Sequence, residues 1–172
     1  MSVFVWQQPV KQYDERLTLA EGLTEYLEHY RLGDGGYTDR WFTLSMPGRI
    51  SFPVPNIRNR AEAVRFHDLH HVLTGYDTGY AGEAEIGAWE IASGCGRYWS
   101  AWLLNFGSFS YGMVAFPRRV YRAFVRGNQS RSLYRSYSYE VVLDASVGAM
   151  REQLHIPSVP SHRWGDALKF SL

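Results

Sequence analysis

The stretch from residue 66 to 90, FHDLHHVLTGYDTGYAGEAEIGAWE, carries three of the six histidines and several carboxylates. His67 and His71 are four residues apart, so on a helix both rings point the same way, about one turn apart. Asp68 lies about 100° round the helix from His67 and falls within the same quadrant. Two neutral imidazoles with one or two carboxylates suit a borderline divalent cation, namely zinc, iron(II) or manganese.

The residues around this pattern predict two helices joined by a glycine-rich turn. Residues 59–76 are rich in helix formers and contain no proline, and Gly75 and Gly79 break the run. A second helical run begins near Ala81 and carries Glu83. Such an αα-hairpin can return Glu83 over the two histidines of the first helix.

This arrangement predicts one divalent ion per chain. His70 points about 100° away from its neighbour and is expected outside the site. Asp68 has a second interpretation, because it can instead orient an imidazole without touching the metal. A simpler alternative also stays open, in which the histidines are ordinary core or surface residues. The predicted metal ligands are His67, Asp68, His71 and Glu83.

The spacing H-D-x-x-H, eleven residues, E at positions 67–83 resembles the signature of the coenzyme Q biosynthesis protein 4 family. In that family the pattern is the metal-ligand set, usually described as a zinc site. Gly82 fits the pattern, and MREQLHIPSVP at 150–160 is similar to the closing helix of the family. The resemblance covers roughly residues 35–160.

The resemblance implies an all-helical protein acting late in polyprenyl-quinone synthesis, with zinc as the first choice of metal. In the family, this step is linked to loss of the ring carboxyl and its replacement by hydroxyl, and to holding partner enzymes together. A metal-dependent oxidative decarboxylase of a prenylated hydroxybenzoate-type substrate is the enzyme this suggests. A second hypothesis is a non-catalytic scaffold that binds an isoprenoid lipid and has a structural metal. A third, an HD-type metal phosphohydrolase using His29, His67-Asp68 and Asp144, leaves His71 and Glu83 unexplained.

Length and composition place the chain among globular proteins. At 172 residues, with 45% hydrophobic and 16% aromatic residues, it is expected to form one domain over 1–172, an all-α multi-helical bundle. A net charge of +1 is not a nucleic-acid-binding composition, and a single cysteine excludes an internal disulfide. The N-terminal residues resemble neither a signal peptide nor a mitochondrial presequence. A bacterial cytoplasmic protein, in which a peripheral position at the inner membrane stays open, is therefore expected.

Outside the hairpin, helical spacing of apolar residues predicts a first helix over Val10 to Arg31 and a last long helix over Ser130 to Leu154. Residues 38–42 suggest one helical turn. Residues 44–55 contain three prolines and predict a loop, in which residues 51–54 are too short to build a sheet.

Residues 97–116 form the most apolar segment. A membrane span needs about 20 mostly apolar residues, and this segment is interrupted by polar residues and glycines, so a buried helix broken near Gly107 is favoured. Its rings are either plain core or the lining of a slot for a substrate tail, a prenylated quinone precursor or other isoprenoid lipid. The predicted lining residues are Trp99, Trp102, Leu103, Phe106 and Phe109.

A local basic patch follows this segment. Arg118, Arg122 and Arg126 are four residues apart and form one stripe on a helix. This stripe predicts contact with a membrane surface, with an anionic group of the substrate or with an acidic partner enzyme, and an ordinary solvated face is the alternative. A homo-oligomer is also compatible with the sequence.

Overall fold

Seven α-helices and one β-hairpin make up residues 11–46 and 50–157, which are the residues that the computed structural model describes. The predicted all-α class is confirmed, since the hairpin is the single sheet in this part of the chain. In chain order the elements are α1 (Leu19–Tyr30), β1 (Trp41–Met46), β2 (Ile50–Pro55), α2 (Arg58–Thr74), α3 (Tyr80–Ser93), α4 (Trp99–Ala115), α5 (Pro117–Asn128), α6 (Tyr139–Val142) and α7 (Val147–Gln153).

Helix α3 lies at the centre of the bundle, and Trp89 on it is fully buried. It packs closely against α4 and α5 because each presents a glycine at the crossing. A Cβ atom added at Gly112 of α4 would lie 2.5 Å from the Ala84 side chain, and one added at Gly127 of α5 would lie 2.5 Å from the Trp89 carbonyl. Helix α2 contacts α1, α3, α4 and α7, so it joins the two halves of the core.

The predicted hairpin of two helices is confirmed. Helix α2 ends at Gly75, which adopts φ = 75° and is therefore suited to glycine. In the turn, the Asp77 carboxylate accepts a hydrogen bond of 2.7 Å from the backbone N–H of Gly79, and α3 begins at the next residue. This connection returns the chain along α2 and sets Glu83 opposite the two histidines.

The first helix is shorter than predicted. It begins at Leu19 and not at Val10, because Thr18 and Glu21 form a capping box that fixes its N-terminus. Residues 11–18 precede it as irregular chain, and Val10 lies outside the described residues.

The predicted long helix over 130–154 is wrong, since α6 and α7 are two short helices in that region. The backbone between them bonds to the start of the chain instead of continuing a helix. The N–H of Leu19 donates to the carbonyl of Ala145 at 2.9 Å, and the N–H of Val147 donates to the carbonyl of Leu17 at 2.8 Å. These tertiary backbone bonds outweigh the helical spacing of the apolar residues.

The predictions for residues 38–55 are also wrong, because β1 and β2 pair antiparallel from Trp41↔Pro55 to Met46↔Ile50. The N–H of Asn56 donates to the carbonyl of Arg40 across the hairpin, so the alternate positions 53 and 55 point their nitrogens away from β1. Pro53 and Pro55 are tolerated there because no ladder bond needs their N–H. Trp41 therefore belongs to a strand and not to a helical turn.

Helix α4 is continuous through Gly107, and one face is exposed, so the prediction of a buried, broken helix is wrong. An added Cβ at Gly107 would meet nothing within 4 Å. None of the helices in the described part of the chain has both the length and the apolar character of a membrane span.

Candidate metal centre

Three of the four predicted metal ligands converge at one point between α2 and α3. The Nε2 atoms of His67 and His71 are 3.2 Å apart. The two carboxylate oxygens of Glu83 lie 3.6 Å from the Nε2 of His67 and 3.5 Å from the Nε2 of His71. These residues, within the part of the chain that is described, form a group whose donor atoms could hold a metal ion.

The hydrogen bonds of the Nδ1 atoms determine which ring nitrogen of His67 and of His71 carries the proton. The Nδ1 of His71 lies 2.9 Å from the backbone carbonyl of Tyr76, and the Nδ1 of His67 lies 3.0 Å from a carboxylate oxygen of Glu90. A carbonyl and an ionised carboxylate only accept hydrogen bonds, so each Nδ1 carries the proton. If both rings were neutral, both Nε2 atoms would be unprotonated acceptors only 3.2 Å apart. A proton on one of these nitrogens, or a metal ion bound by both, would relieve that repulsion.

Glu90 fixes the back of the site. Its side chain is fully buried, and it accepts hydrogen bonds from four donors. One oxygen accepts from Nδ1 of His67 and from Nδ1 of His70 at 2.7 Å. The other accepts from the amide of Asn105 on α4 and from the hydroxyl of Tyr134 at 3.0 Å. A carboxylate behind a ligating histidine holds the ring in one orientation and raises its basicity.

His70 lies outside the cluster. Its Nε2 accepts a hydrogen bond of 2.9 Å from the backbone N–H of Leu133, so its proton sits on Nδ1 and is donated to Glu90. Both ring nitrogens are therefore engaged away from the metal ligands. Burial lowers the pKa of His70, which keeps this ring neutral.

Asp68 lies beside the cluster and is not among its ligands. It is buried, and one carboxylate oxygen accepts a 2.6 Å hydrogen bond from the hydroxyl of Tyr37. Burial raises the pKa of Asp68, although His67 and Tyr37 oppose that rise. Asp68 forms no hydrogen bond with either imidazole among the described residues, because Glu90 and the carbonyl of Tyr76 hold the outer ring nitrogens. It acts on His67 and His71 through its charge.

The electrostatic field at the cluster favours a cation. Burial disfavours the charged form of His67, yet Glu90 and Glu83 outweigh it and hold the pKa of that imidazole well above 6.5. Burial also opposes ionisation of Glu83, but the two imidazoles outweigh it and the pKa of Glu83 falls to about 2. The same balance holds the pKa of Glu90 well below its usual range. With neutral imidazoles, two negative carboxylates surround the site.

The donor set suits a metal ion such as zinc, whose tetrahedral ligands lie about 3.3–3.6 Å apart. The two Nε2 atoms are 3.2 Å apart, and each lies 3.5–3.6 Å from a different oxygen of Glu83. One donor atom from each of the three residues lies within 4.8 Å of the others. Three protein ligands leave a fourth position. The side chains of Glu83 and His67 are 40% and 21% exposed, so the centre is accessible on that edge, whereas His71 is enclosed and stacks on Tyr26.

The predicted tail-binding residues lie on the surface of α4. Trp99, Trp102, Leu103 and Phe106 are all exposed and form an outward-facing apolar surface, whereas Phe109 packs against Phe124. The residue of α4 that reaches the metal network is Asn105, which lies on the buried side of the helix.

The predicted basic stripe divides into two kinds of arginine. Arg118 and Arg122 are exposed on α5. Arg126 instead donates to the carbonyls of Thr74 and Pro157, each at 2.8 Å, and lies over the ring of Tyr76. Arg126 therefore has a structural role at the end of α2.

The ligand set of the phosphohydrolase hypothesis is not assembled. The metal-competent group includes neither His29 nor Asp144, and Asp144 is exposed in the segment between α6 and α7.

Glu90 is the site residue that the sequence argument missed. Glu83 and Glu90 are seven residues apart on α3 and share one face, so two-turn spacing was a usable signal. Asn105, Tyr134 and the carbonyl of Tyr76 carry no such signal, because only the tertiary fold brings them to the histidines.

No protein-family model and no curated protein matches this chain. The resemblance to the coenzyme Q biosynthesis protein 4 family therefore depends on the H-D-x-x-H spacing with Glu83, on Gly82 and on residues 150–160.

Proposed function

We propose that this protein is a divalent-metal protein that acts on, or presents, a prenylated aromatic precursor of a polyprenyl quinone. The observation that supports the metal is the approach of the two Nε2 atoms to 3.2 Å, with the Glu83 carboxylate 3.5–3.6 Å from them. Zinc is the first choice, with iron(II) or manganese as alternatives, because imidazole and carboxylate together suit this group of ions.

The accessible edge of the centre favours an enzyme over a scaffold. A structural zinc site is closed by four protein ligands, whereas a catalytic site keeps a position for water or substrate. Here three side chains converge, and the carboxylate of Asp68, the fourth predicted ligand, is engaged by Tyr37. The exposed fraction of Glu83 places the open side toward solvent.

Each residue then has a definite task. His67 and His71 present Nε2 to the ion, and Glu90 and the carbonyl of Tyr76 keep the proton on the outer nitrogen of each ring. Glu83 contributes negative charge at the exposed edge. A divalent ion held here would bind a phenolate or carboxylate oxygen of the substrate and stabilise negative charge on it. Simple decarboxylation would break the ring–carboxyl bond, release carbon dioxide and place a proton on the ring carbon. Replacement of the carboxyl by hydroxyl would in addition require dioxygen as the oxidant.

The substrate class follows from the sequence resemblance and from the exposed apolar surface of α4. That surface, with Arg118 and Arg122 on the adjoining helix, is suited to an isoprenoid tail or to a membrane that carries it. The tail would then lie on the surface of α4 and not in an enclosed slot.

The test is turnover of a prenylated 4-hydroxybenzoate by the zinc-, iron- and manganese-loaded protein, with release of carbon dioxide as the readout. We expect metal-dependent release that is lost in Glu83→Gln and retained in Glu28→Gln, an exposed control on α1. Binding of the prenylated compound without turnover would identify the scaffold alternative. Absence of both binding and turnover would overturn the proposal.

A further inference from the structure

A second site candidate lies on the other side of α2 from the metal centre. It is a cavity of about 740 Å³ between α2, the segment before α4 and residues 136–140. Arg58, Glu62 and Arg65 line it from α2, and their spacing of three or four residues places them on one helical stripe. Arg65 lies about 200° round the helix from His67, so the cavity and the metal cluster occupy different faces.

Two arginines in the cavity are held by aromatic rings. The guanidinium of Arg65 lies 5.6 Å from the ring centre of Tyr37 and 5.6 Å from that of Tyr139. The guanidinium of Arg97 lies 5.5 Å from the ring centre of Tyr98. Within residues 11–46 and 50–157, neither arginine forms an ion pair with a carboxylate. Each guanidinium is therefore held by aromatic rings and not by direct contact with a carboxylate.

The cavity lining also contains two carboxylates. Glu62 pairs with Arg58 at 2.8 Å. Glu140 accepts a 2.8 Å hydrogen bond from the hydroxyl of Ser138 and keeps its negative charge. Three arginines against two glutamates leave the cavity with a net charge of +1.

We propose that this cavity binds a small molecule that carries a carboxylate or phosphate on an aromatic body. The planar fork of a guanidinium matches the oxygens of either anion. Tyr137 and Tyr139, both partly exposed, supply aromatic surface for the ring, and Phe66 and Tyr98 lie buried beneath the cavity. The volume falls within the range of about 300–1,000 Å³ that is typical of small-molecule pockets. This site is independent of the metal proposal.

The test is calorimetric titration of the purified protein, in the presence of a chelator, with phenyl phosphate, benzoate, inorganic phosphate and benzyl alcohol. We expect phenyl phosphate or benzoate to bind, and whichever binds more tightly identifies the anion. Inorganic phosphate should bind more weakly because it lacks the ring, and benzyl alcohol should not bind because it lacks the charge. Benzyl alcohol binding as tightly as the anions, or no binding by any probe, would overturn the proposal.

Two arginine variants locate the binding site. Arg97 is exposed, so Arg97→Gln should fold normally and lower the affinity for the anionic probe by about tenfold or more. Arg122→Gln, an exposed control on α5, should leave the affinity unchanged. Equal losses in both variants, or no loss in Arg97→Gln, would show that the probe binds elsewhere.

A third variant separates this cavity from the metal centre. His71→Ala removes one Nε2 from the metal cluster, and we expect the anionic probe to bind this variant as it binds the wild-type protein. Loss of binding in His71→Ala would place the probe at the metal cluster and refute the second site. Failure of the metal proposal alone would leave the probe affinity and its dependence on Arg97 intact.

Discussion

Replacing Glu90 by Gln tests the buried network behind the metal cluster with little change of shape. In the wild-type protein this carboxylate accepts four hydrogen bonds while fully buried. The amide of Gln keeps one acceptor oxygen and replaces the other with an NH₂ donor. The least costly orientation turns the NH₂ toward Asn105 and Tyr134, because an amide and a hydroxyl can reverse their roles.

The expected loss in the free energy of unfolding follows from the number of hydrogen bonds that Glu90 accepts. A hydrogen bond to a charged group contributes about 1.5–3 kcal/mol, and one between neutral groups contributes about 0.5–1.5 kcal/mol. Loss of charge therefore costs about 1 kcal/mol for each of four bonds, with some recovery by relaxation. We predict that Glu90→Gln lowers the free energy of unfolding of the metal-free protein by about 2–4 kcal/mol.

Urea unfolding in the presence of a chelator, followed by circular dichroism, measures this loss. The control is Glu28→Gln on the exposed face of α1, for which a change within about 0.5 kcal/mol is expected. In the same variant, zinc affinity should fall by about 10–100-fold, because the carboxylate no longer orients His67. A Glu90→Gln protein as stable as the wild type, with unchanged zinc affinity, would refute the role assigned to Glu90.

Three further predictions follow from the structure. Zinc affinity should fall as the pH decreases, and the fall should begin above pH 6.5. The reason is the raised pKa of His67, which lets protons compete with zinc for its Nε2 at a higher pH than in an ordinary imidazole. Zinc affinities measured between pH 8 and pH 5 check this. Arg126→Ala should destabilise the fold by about 1–3 kcal/mol through loss of its bonds to two backbone carbonyls, whereas Arg122→Ala should change stability by less than about 0.5 kcal/mol, as measured by urea unfolding. Gly107→Ala should raise the free energy of unfolding by about 0.5–1 kcal/mol, because the added Cβ enters open space. Gly127→Ala should lower it by about 1–3 kcal/mol, because the added Cβ meets the backbone of α3. Thermal unfolding should therefore show a higher midpoint for the first variant and a lower one for the second.

The sequence predicts the helical hairpin and the convergence of three of its side chains because these signals are local. The spacing of His67 and His71 requires only a helix, and Gly75 marks where that helix ends. Glu83 follows at a distance that a short turn can close. Each of these inferences depends on neighbours along the chain and not on the packing of distant elements.

The predictions that are wrong concern residues whose contacts come from distant parts of the chain. Asp68 has the spacing of a ligand, but the hydroxyl of Tyr37, which lies 31 residues away, takes its carboxylate. Helix α4 buries Ser100 and Asn105 and exposes several large apolar side chains, the reverse of the usual amphipathic pattern, so its sequence points to the wrong buried face. Residues 130–154 have helical spacing, yet their backbone bonds to residues near Leu17 and Leu19.

Anomalous scattering at the zinc absorption edge, from crystals grown with zinc, tests the metal centre most directly. We predict one anomalous peak per chain, about 2.0–2.2 Å from the Nε2 atoms of His67 and His71 and from a carboxylate oxygen of Glu83. Asp68 should remain hydrogen-bonded to Tyr37. A peak at other residues, or no peak while the Nε2 atoms of His67 and His71 stay 3.2 Å apart, would contradict the assignment of this cluster as a metal centre.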